Sequence, residues 1–279
     1  MKTLPYFDDP LVVYRALVPF GDAVLLDSGG ARSSGRWDII AAGGDRARRV
    51  LLPASSSAGE IRTVLAAFEA AAAADRGATD PAEHRDAGVP FRGGYIGCLS
   101  YELGRRLQGL EPRRSAMPVA VINYYDWAVV QDRRGRRSHL VGNVSAALHE
   151  QLEERLARAA PSGKRSFSIE TPFEGAWHAG HFAEAFARVK DYISAGDCYQ
   201  INVGQPFRAR FRGDLLAAYA ALREVASAPF SAFFPLDAGR RLLCLSPERF
   251  LTVDERRVET RPIKGTRPRH GDAAADAQA

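Results

Sequence analysis

Two residues with side chains able to do chemistry stand sixteen positions apart, Glu248 and Lys264. An amine attacks carbon only when deprotonated, and an ordinary lysine, with a pKa of about 10.4, is almost wholly protonated at neutral pH. A nucleophilic Lys264 therefore needs surroundings that desolvate it or set a base beside it. Taken singly, Lys264 before Gly265 reads as a solvated turn lysine, and Glu248 as a surface partner for Arg249. Neither stands singly. Three segments follow one another: Ile193-Ser194-Ala195-Gly196-Asp197-Cys198-Tyr199-Gln200-Ile201-Asn202, then Ser246-Pro247-Glu248-Arg249-Phe250, then Arg261-Pro262-Ile263-Lys264-Gly265-Thr266-Arg267-Pro268-Arg269. Three segments in a fixed order are far more specific than one short pattern.

Other chemistries find less support. Arg92 to Gly104 is rich in glycine but has neither the GxGxxG order nor the lysine-serine ending of a P-loop, so close backbone packing in a sheet is the reading. Cys98, Cys198 and Cys244 are odd in number and far apart, without metal-ligand spacing, so no metal site is expected within this chain. The net charge is +5, but the basic residues are scattered. The clusters Arg46, Arg48-Arg49 and Arg133-Arg134, Arg136-Arg137 read as solvated turns, without the interleaved aromatics of a nucleic-acid surface. At 46% hydrophobic and 25% charged the chain has a globular composition. It lacks a secretory start and any run near 18 apolar residues, so a cytoplasmic protein with no membrane or nucleic-acid partner is expected.

The elements that must position these residues follow from pattern. Strand-like runs are expected at 24–27, 37–41 and 48–52. Ser57 and Glu60 have capping-box spacing ahead of a stripe of Ile61, Leu65, Phe68 and Ala72, with Gly77 at the expected stop and a surface loop over 75–90. Residues 119–131 and 138–141 read as a hairpin with a basic tip. A helix over 146–160 carries Leu148, Leu152 and Leu156 on one face, and Glu154 four residues before Arg158. Beyond a connection at 161–176 come a helix with Phe182, Phe186, Val189 and Ile193 in step, closed by Gly196, and a strand near 201–211. A helix with Leu215, Tyr219 and Leu222 in step follows, then strands near 232–234, 241–245, 250–253 and 258–261. Strands cluster instead of alternating strictly with helices, which predicts an α+β fold.

The three ordered segments resemble the chorismate-utilising enzyme family, and Lys264 resembles its aminodeoxychorismate synthase branch where anthranilate synthases usually carry alanine. The resemblance implies the amino-terminal half of a two-subdomain, β-sandwich-like chorismate-binding fold, with an amino-terminal domain over 1–160, a connection over 161–176 and a partial chorismate-binding domain over 177–279. It implies that Lys264 adds covalently to chorismate as the ring hydroxyl departs and that ammonia from a separate glutaminase subunit displaces it. Glu248 would act as acid and base, Gly265 would let the backbone approach the substrate, and Thr266 would donate to a substrate oxygen. The resemblance also implies a tryptophan-type pocket, because Ser28, Arg36, Trp37, Pro229, Phe230 and Ser231 fall near positions where relatives bind tryptophan, and an apolar cage with an arginine suits such a ligand. The family continues well past the lysine motif and there supplies carboxylates for Mg2+, so a truncated chain, weak in catalysis and stability unless another polypeptide completes it, is expected. The alternatives are an anthranilate synthase component I and a non-catalytic amino-acid-binding or partner-docking fragment.

Overall fold

The computed structural model describes residues 1–30, 33, 35–78, 88–113, 115–159, 166–254, 257–262, 269, 271–272, 274 and 276. Its strands are β1 (Lys2–Leu4), β2 (Val24–Asp27), β3 (Trp37–Ala41), β4 (Asp45–Leu52), β5 (Gly94–Leu99), β6 (Ala120–Tyr125), β7 (Trp127–Asp132) and β8 (Arg137–Gly142), followed by β9 (Phe167–Ile169), β10 (Glu174–Gly175), β11 (Phe207–Arg208), β12 (Phe211–Gly213), β13 (Phe230–Pro235), β14 (Arg241–Ser246), β15 (Arg249–Asp254) and β16 (Arg257–Arg261). The helices are α1 (Pro10–Leu17), α2 (Ala58–Ala78), α3 (Tyr101–Leu107), α4 (Ala146–Ala157), α5 (Ala179–Ala195) and α6 (Leu215–Ala226). The fold is α+β, and no sheet closes into a barrel among the described residues.

The chain forms two compact units, 1–162 with 219–279 and 163–218. The first is built on a seven-stranded sheet in the order β1-β8-β7-β3-β2-β13-β14 and a three-stranded sheet in the order β4-β6-β5. Successive side chains of a strand point to opposite faces, and this period divides the core. Val24, Ala128, Val130, Val141 and Phe234 cluster with Ile96, Val121 and Tyr125 of the three-stranded sheet. Leu25, Ile40, Val129 and Leu140, of the other parity, are fully buried. Helix α1 packs on β3, helix α4 packs on α1, and the Tyr14 ring meets Phe233 edge-on at 5.4 Å. Strands β13 and β14 come from the segment expected as a second domain, yet Ser231 to Phe233 pair with Asp27 to Leu25. The second unit holds two short ladders, β10–β11 and β9–β12, and helix α5, none of whose seventeen residues is buried.

Several local expectations reappear as geometry. The backbone N–H of Ser57 donates to Glu60 Oε2 at 2.6 Å and that of Glu60 to Ser57 Oγ at 3.2 Å, so the capping box is reciprocal. Arg158 pairs with Glu154 at 2.6 Å, and α5 ends at left-handed Gly196. Helix α2, however, runs through Gly77 to Ala78; most of the loop expected over 75–90 lies outside the described residues.

Other expectations are corrected by long-range packing. The run 119–131 is two strands, β6 in the small sheet and β7 in the large one, turning at Asp126. A Cβ on Gly142, whose φ is +94°, would stand 2.2 Å from the Asp126 carbonyl oxygen, so only glycine lets β8 cross this corner. Residues 201–206 form no strand, because Pro206 lacks an N–H and its carbonyl is taken by Ala176 at 3.0 Å. The buried face of α6 is Leu216, Tyr219 and Arg223, with Leu222 at 45% exposure. The arginine clusters are not merely solvated turns. Arg48 lies 3.5 Å from the Tyr124 ring centroid and pairs with Asp75, while Arg136 holds Asp8 at 2.6 Å.

Candidate functional site

Of the residues singled out in sequence, Ser28, Arg36, Trp37, Pro229, Phe230, Ser231 and Glu248 lie at one end of the β2, β13 and β14 ladder. Ser231 faces Asp27 across β13 and β2, and Phe230 faces Ser246 across β13 and β14. Ser246 begins the turn to Glu248: its hydroxyl donates to the Glu248 carbonyl at 2.8 Å and accepts from the Glu248 N–H at 3.2 Å. This hydroxyl-closed turn sets Glu248, half-buried, between β14 and β15. Arg249 reaches across the β15–β16 hairpin to Glu259, which Arg261 also holds at 2.7 Å, and its guanidinium lies 5.7 Å from the Phe230 ring centroid. Lys264, Gly265 and Thr266 lie outside the described residues.

On the other side of the same ladder end, the Ser28 hydroxyl donates to the Trp37 carbonyl at 2.5 Å and its N–H to Asp38 Oδ1 at 2.8 Å. Ser231 is buried and donates to the Ala228 carbonyl at 2.8 Å, Pro229 is half-buried, and Phe230 is partly exposed. Arg36 stacks over Trp37 at 4.4 Å and gives both arms of its fork to Asp132, at 3.1 and 2.7 Å. Its guanidinium is therefore already matched to a carboxylate of the protein, and that contact holds the Asp132 carboxyl below its ordinary range.

A buried charge network beside this site was not expected as functional from sequence. Asp27 Oδ2 accepts from the Tyr219 hydroxyl at 3.0 Å and from Arg223 Nε at 2.7 Å, while Oδ1 accepts from Arg223 Nη2 at 3.1 Å and from the Gly29 N–H at 2.8 Å. Arg223 also donates to the Gly29 carbonyl at 3.0 Å. Arg133 donates to the carbonyls of Ser28, Gly29 and Gly30 at 3.2, 2.9 and 3.1 Å. Two guanidiniums thus grip three consecutive peptides. Gly29 permits this, with a φ of +88° and the Ala228 carbonyl oxygen 2.5 Å from where a Cβ would be. Burial, then the nearby Asp27 carboxylate, pushes the Asp38 carboxyl up to about 7, and burial raises the Tyr219 hydroxyl. A signal was present in sequence, since Asp27 and Asp38 interrupt otherwise apolar strand runs.

The arrangement provides a rigid loop, a carboxyl that titrates near neutrality and a glutamate on a fixed turn, all at one sheet end. Among the described residues no group of three or more His, Cys, Asp and Glu side chains converges as a metal site, and no helix is long and apolar enough to cross a membrane. The three cysteines are free thiols.

A family model described as chorismate binding enzyme matches residues 22–279. Aminodeoxychorismate synthase component 1 of Klebsiella aerogenes is 37% identical over 196 residues, covering 68% of this chain and 42% of that protein. The protein of the same name from Escherichia coli is 35% identical over 210 residues, covering 73% and 44%. Anthranilate synthase component 1 1 of Haloarcula marismortui is 33% identical over 213 residues, covering 68% and 43%. The chain thus spans less than half the length of the curated relatives it matches. The crystal structure of anthranilate synthase component I from Streptococcus pneumoniae aligns with a TM-score of 0.57 at 18% identity, over 81% of this chain and 55% of that one, a likeness of fold.

Proposed function

Because this chain belongs to the chorismate binding enzyme family, we propose that it is part of an enzyme that aminates chorismate with ammonia to 4-amino-4-deoxychorismate, the step toward p-aminobenzoate and folate. The observation that carries this reading is Lys264 within Arg261 to Arg269, a primary amine where a plain proton shuttle would have no need of one. Relatives named as aminodeoxychorismate synthase component 1 support it. In this reading Lys264 Nζ forms a bond to the ring carbon as the hydroxyl departs, leaving as water once protonated. Ammonia then forms the new C–N bond and releases the lysine. Glu248 delivers the proton to the leaving oxygen and takes one from the attacking amine. Gly265 and Thr266 serve the substrate through close backbone approach and a hydroxyl or amide donor.

The described residues do not by themselves fit a magnesium ion, so no step is routed through one; in this reading its ligands come from the carboxy-terminal stretch with which the family continues past the lysine motif. A separate glutaminase subunit supplies the ammonia in this reading, and the protein acts in the cytoplasm. We further assign Ser28, Arg36, Trp37, Pro229, Phe230 and Ser231 to an amino-acid pocket of tryptophan type. Arg36 serves there as a wall tied to Asp132, and the ligand carboxylate must find another donor.

The test is Lys264→Ala and Glu248→Gln in the intact protein, assayed with ammonium, chorismate and Mg2+ by product chromatography. Loss of aminodeoxychorismate formation in Lys264→Ala and a drop of about 10²- to 10⁴-fold in Glu248→Gln are expected. Unchanged turnover in Lys264→Ala, or anthranilate as the native product, would overturn the reading.

A further inference from the structure

A cavity of about 330 Å³ opens between β4, the start of β2 and the turn joining β13 to β14, apart from the Ser28 and Glu248 end of the sheet. Its polar wall is made by Arg46, Arg49 and Arg241, and its apolar wall by Val18, Ala23 and Ala238. Two of these arginines are fixed by backbone instead of carboxylates. Arg49 Nη2 donates to the Leu236 carbonyl at 3.3 Å, and Arg241 Nη1 donates to the carbonyls of Asp237 and Arg240 at 2.7 and 3.0 Å. Among the described residues neither has an Asp or Glu oxygen within ion-pair distance. Arg49 Nε is in addition buried with no hydrogen-bond acceptor.

Of the two acids lining the cavity, Asp237 is engaged by its own turn and Asp22 faces Arg46, so neither pairs with Arg49 or Arg241. Asp237 accepts from Arg240 Nε at 2.7 Å and from the N–H groups of Gly239 and Arg240 at 3.1 and 2.9 Å. Asp22 stands 3.9 Å from Arg46. Carbonyls orient a guanidinium without cancelling its charge, and a buried donor without an acceptor is an uncompensated cost. The pattern is therefore that of a cationic cradle held in place for an anion, with a small apolar floor beside it and the size of a small-molecule pocket.

We propose that this cavity binds a small oxyanion, a carboxylate or phosphate group on a body of a few apolar atoms, held by Arg49 and Arg241. It is independent of the reaction assigned above and shares no residue with it.

The experiment is isothermal titration of the intact protein with sodium benzoate and, separately, with inorganic phosphate, at constant ionic strength. Saturable one-site binding of at least one probe is expected. Benzoate alone would identify a carboxylate with an apolar body, and phosphate would identify the bare oxyanion as sufficient. Arg49→Met and Arg241→Met should each weaken binding about ten-fold or more, with Arg137→Met, an exposed cation elsewhere, unchanged. Ala238→Glu on the surface turn places a carboxylate within the cradle. It should abolish binding while leaving the melting temperature equal or higher, and this holds the test open should the arginine variants fail to fold. Absence of saturable binding of either probe, equal loss in Arg137→Met, or native affinity in Ala238→Glu would overturn the proposal.

Discussion

Replacing Asp38 with asparagine should remove much of the stability loss that the folded protein undergoes between pH 4 and pH 8. Asp38 is 2% exposed and accepts the Ser28 N–H at 2.8 Å. Burial and then the Asp27 carboxylate raise its carboxyl from 3.8 to about 7, against the opposing pull of the Ser28 bond and of Arg133 and Arg223. Below pH 3.8 the group is protonated in both folded and unfolded chains, so the full stability is present. Between 3.8 and 7 the unfolded chain releases its proton while the folded chain keeps it, and linkage lowers stability steadily as pH rises. Above 7 both forms are ionised and the loss is complete, at about 4 kcal/mol for 1.36 kcal/mol per pH unit. Asparagine keeps an oxygen for the Ser28 N–H and has no proton to lose. Urea unfolding followed by tryptophan fluorescence at pH 4.5 and pH 8 would measure the difference, which should favour the variant by about 2 to 4 kcal/mol more at the higher pH. Ionisable groups that do not interact with Asp38 contribute equally to both profiles and cancel in the difference. Parallel pH profiles for the two proteins would refute the reasoning.

Arg223→Met leaves buried Asp27 with only the Tyr219 hydroxyl and the Gly29 N–H, and should cost about 3 to 5 kcal/mol in chemical denaturation; a change below 1 kcal/mol would mean the pair is solvated. Gly142→Ala drives a methyl into the Asp126 carbonyl at 2.2 Å from a φ of +94°, and a melting temperature equal to the native one would contradict the tight corner. If the pocket around Ser28 and Ser231 takes tryptophan, the amino acid at a hundred times its Kd should raise stability by about 2.7 kcal/mol, and a midpoint insensitive to tryptophan would remove that assignment.

Local chemistry was legible in the sequence wherever one or two turns of chain contain the whole interaction. The Ser57 and Glu60 cap needs residues three apart, the Gly196 stop needs one backbone conformation, and the strands at 24–27 and 37–41 are short β-prone runs bounded by glycine and serine clusters. The hairpin tip was likewise found between β7 and β8. The ordered motifs, together with the Lys264 that marks a branch, were readable because spacing along the chain is itself the signal.

Tertiary structure decided what depends on partners far away in the chain. Whether residues 119–131 make one strand or two is set by Gly142 packing on Asp126, not by their own apolar pattern. Periodicity puts Leu222 on the inner face of α6, but Arg223 goes there because Asp27, 196 residues earlier, is buried and must be matched. Arg36 looked available for a ligand carboxylate until the fold brought Asp132 to it. The sequence by itself determined most of the elements, the Ser57–Glu60 cap, the Gly196 stop and the family-bearing motifs, since those rest on steric and hydrogen-bond rules within a few residues. Only the fold determined which charges are buried, because a charge is stable in the core only where a distant segment supplies its counter-charge, and that pairing has no local signature.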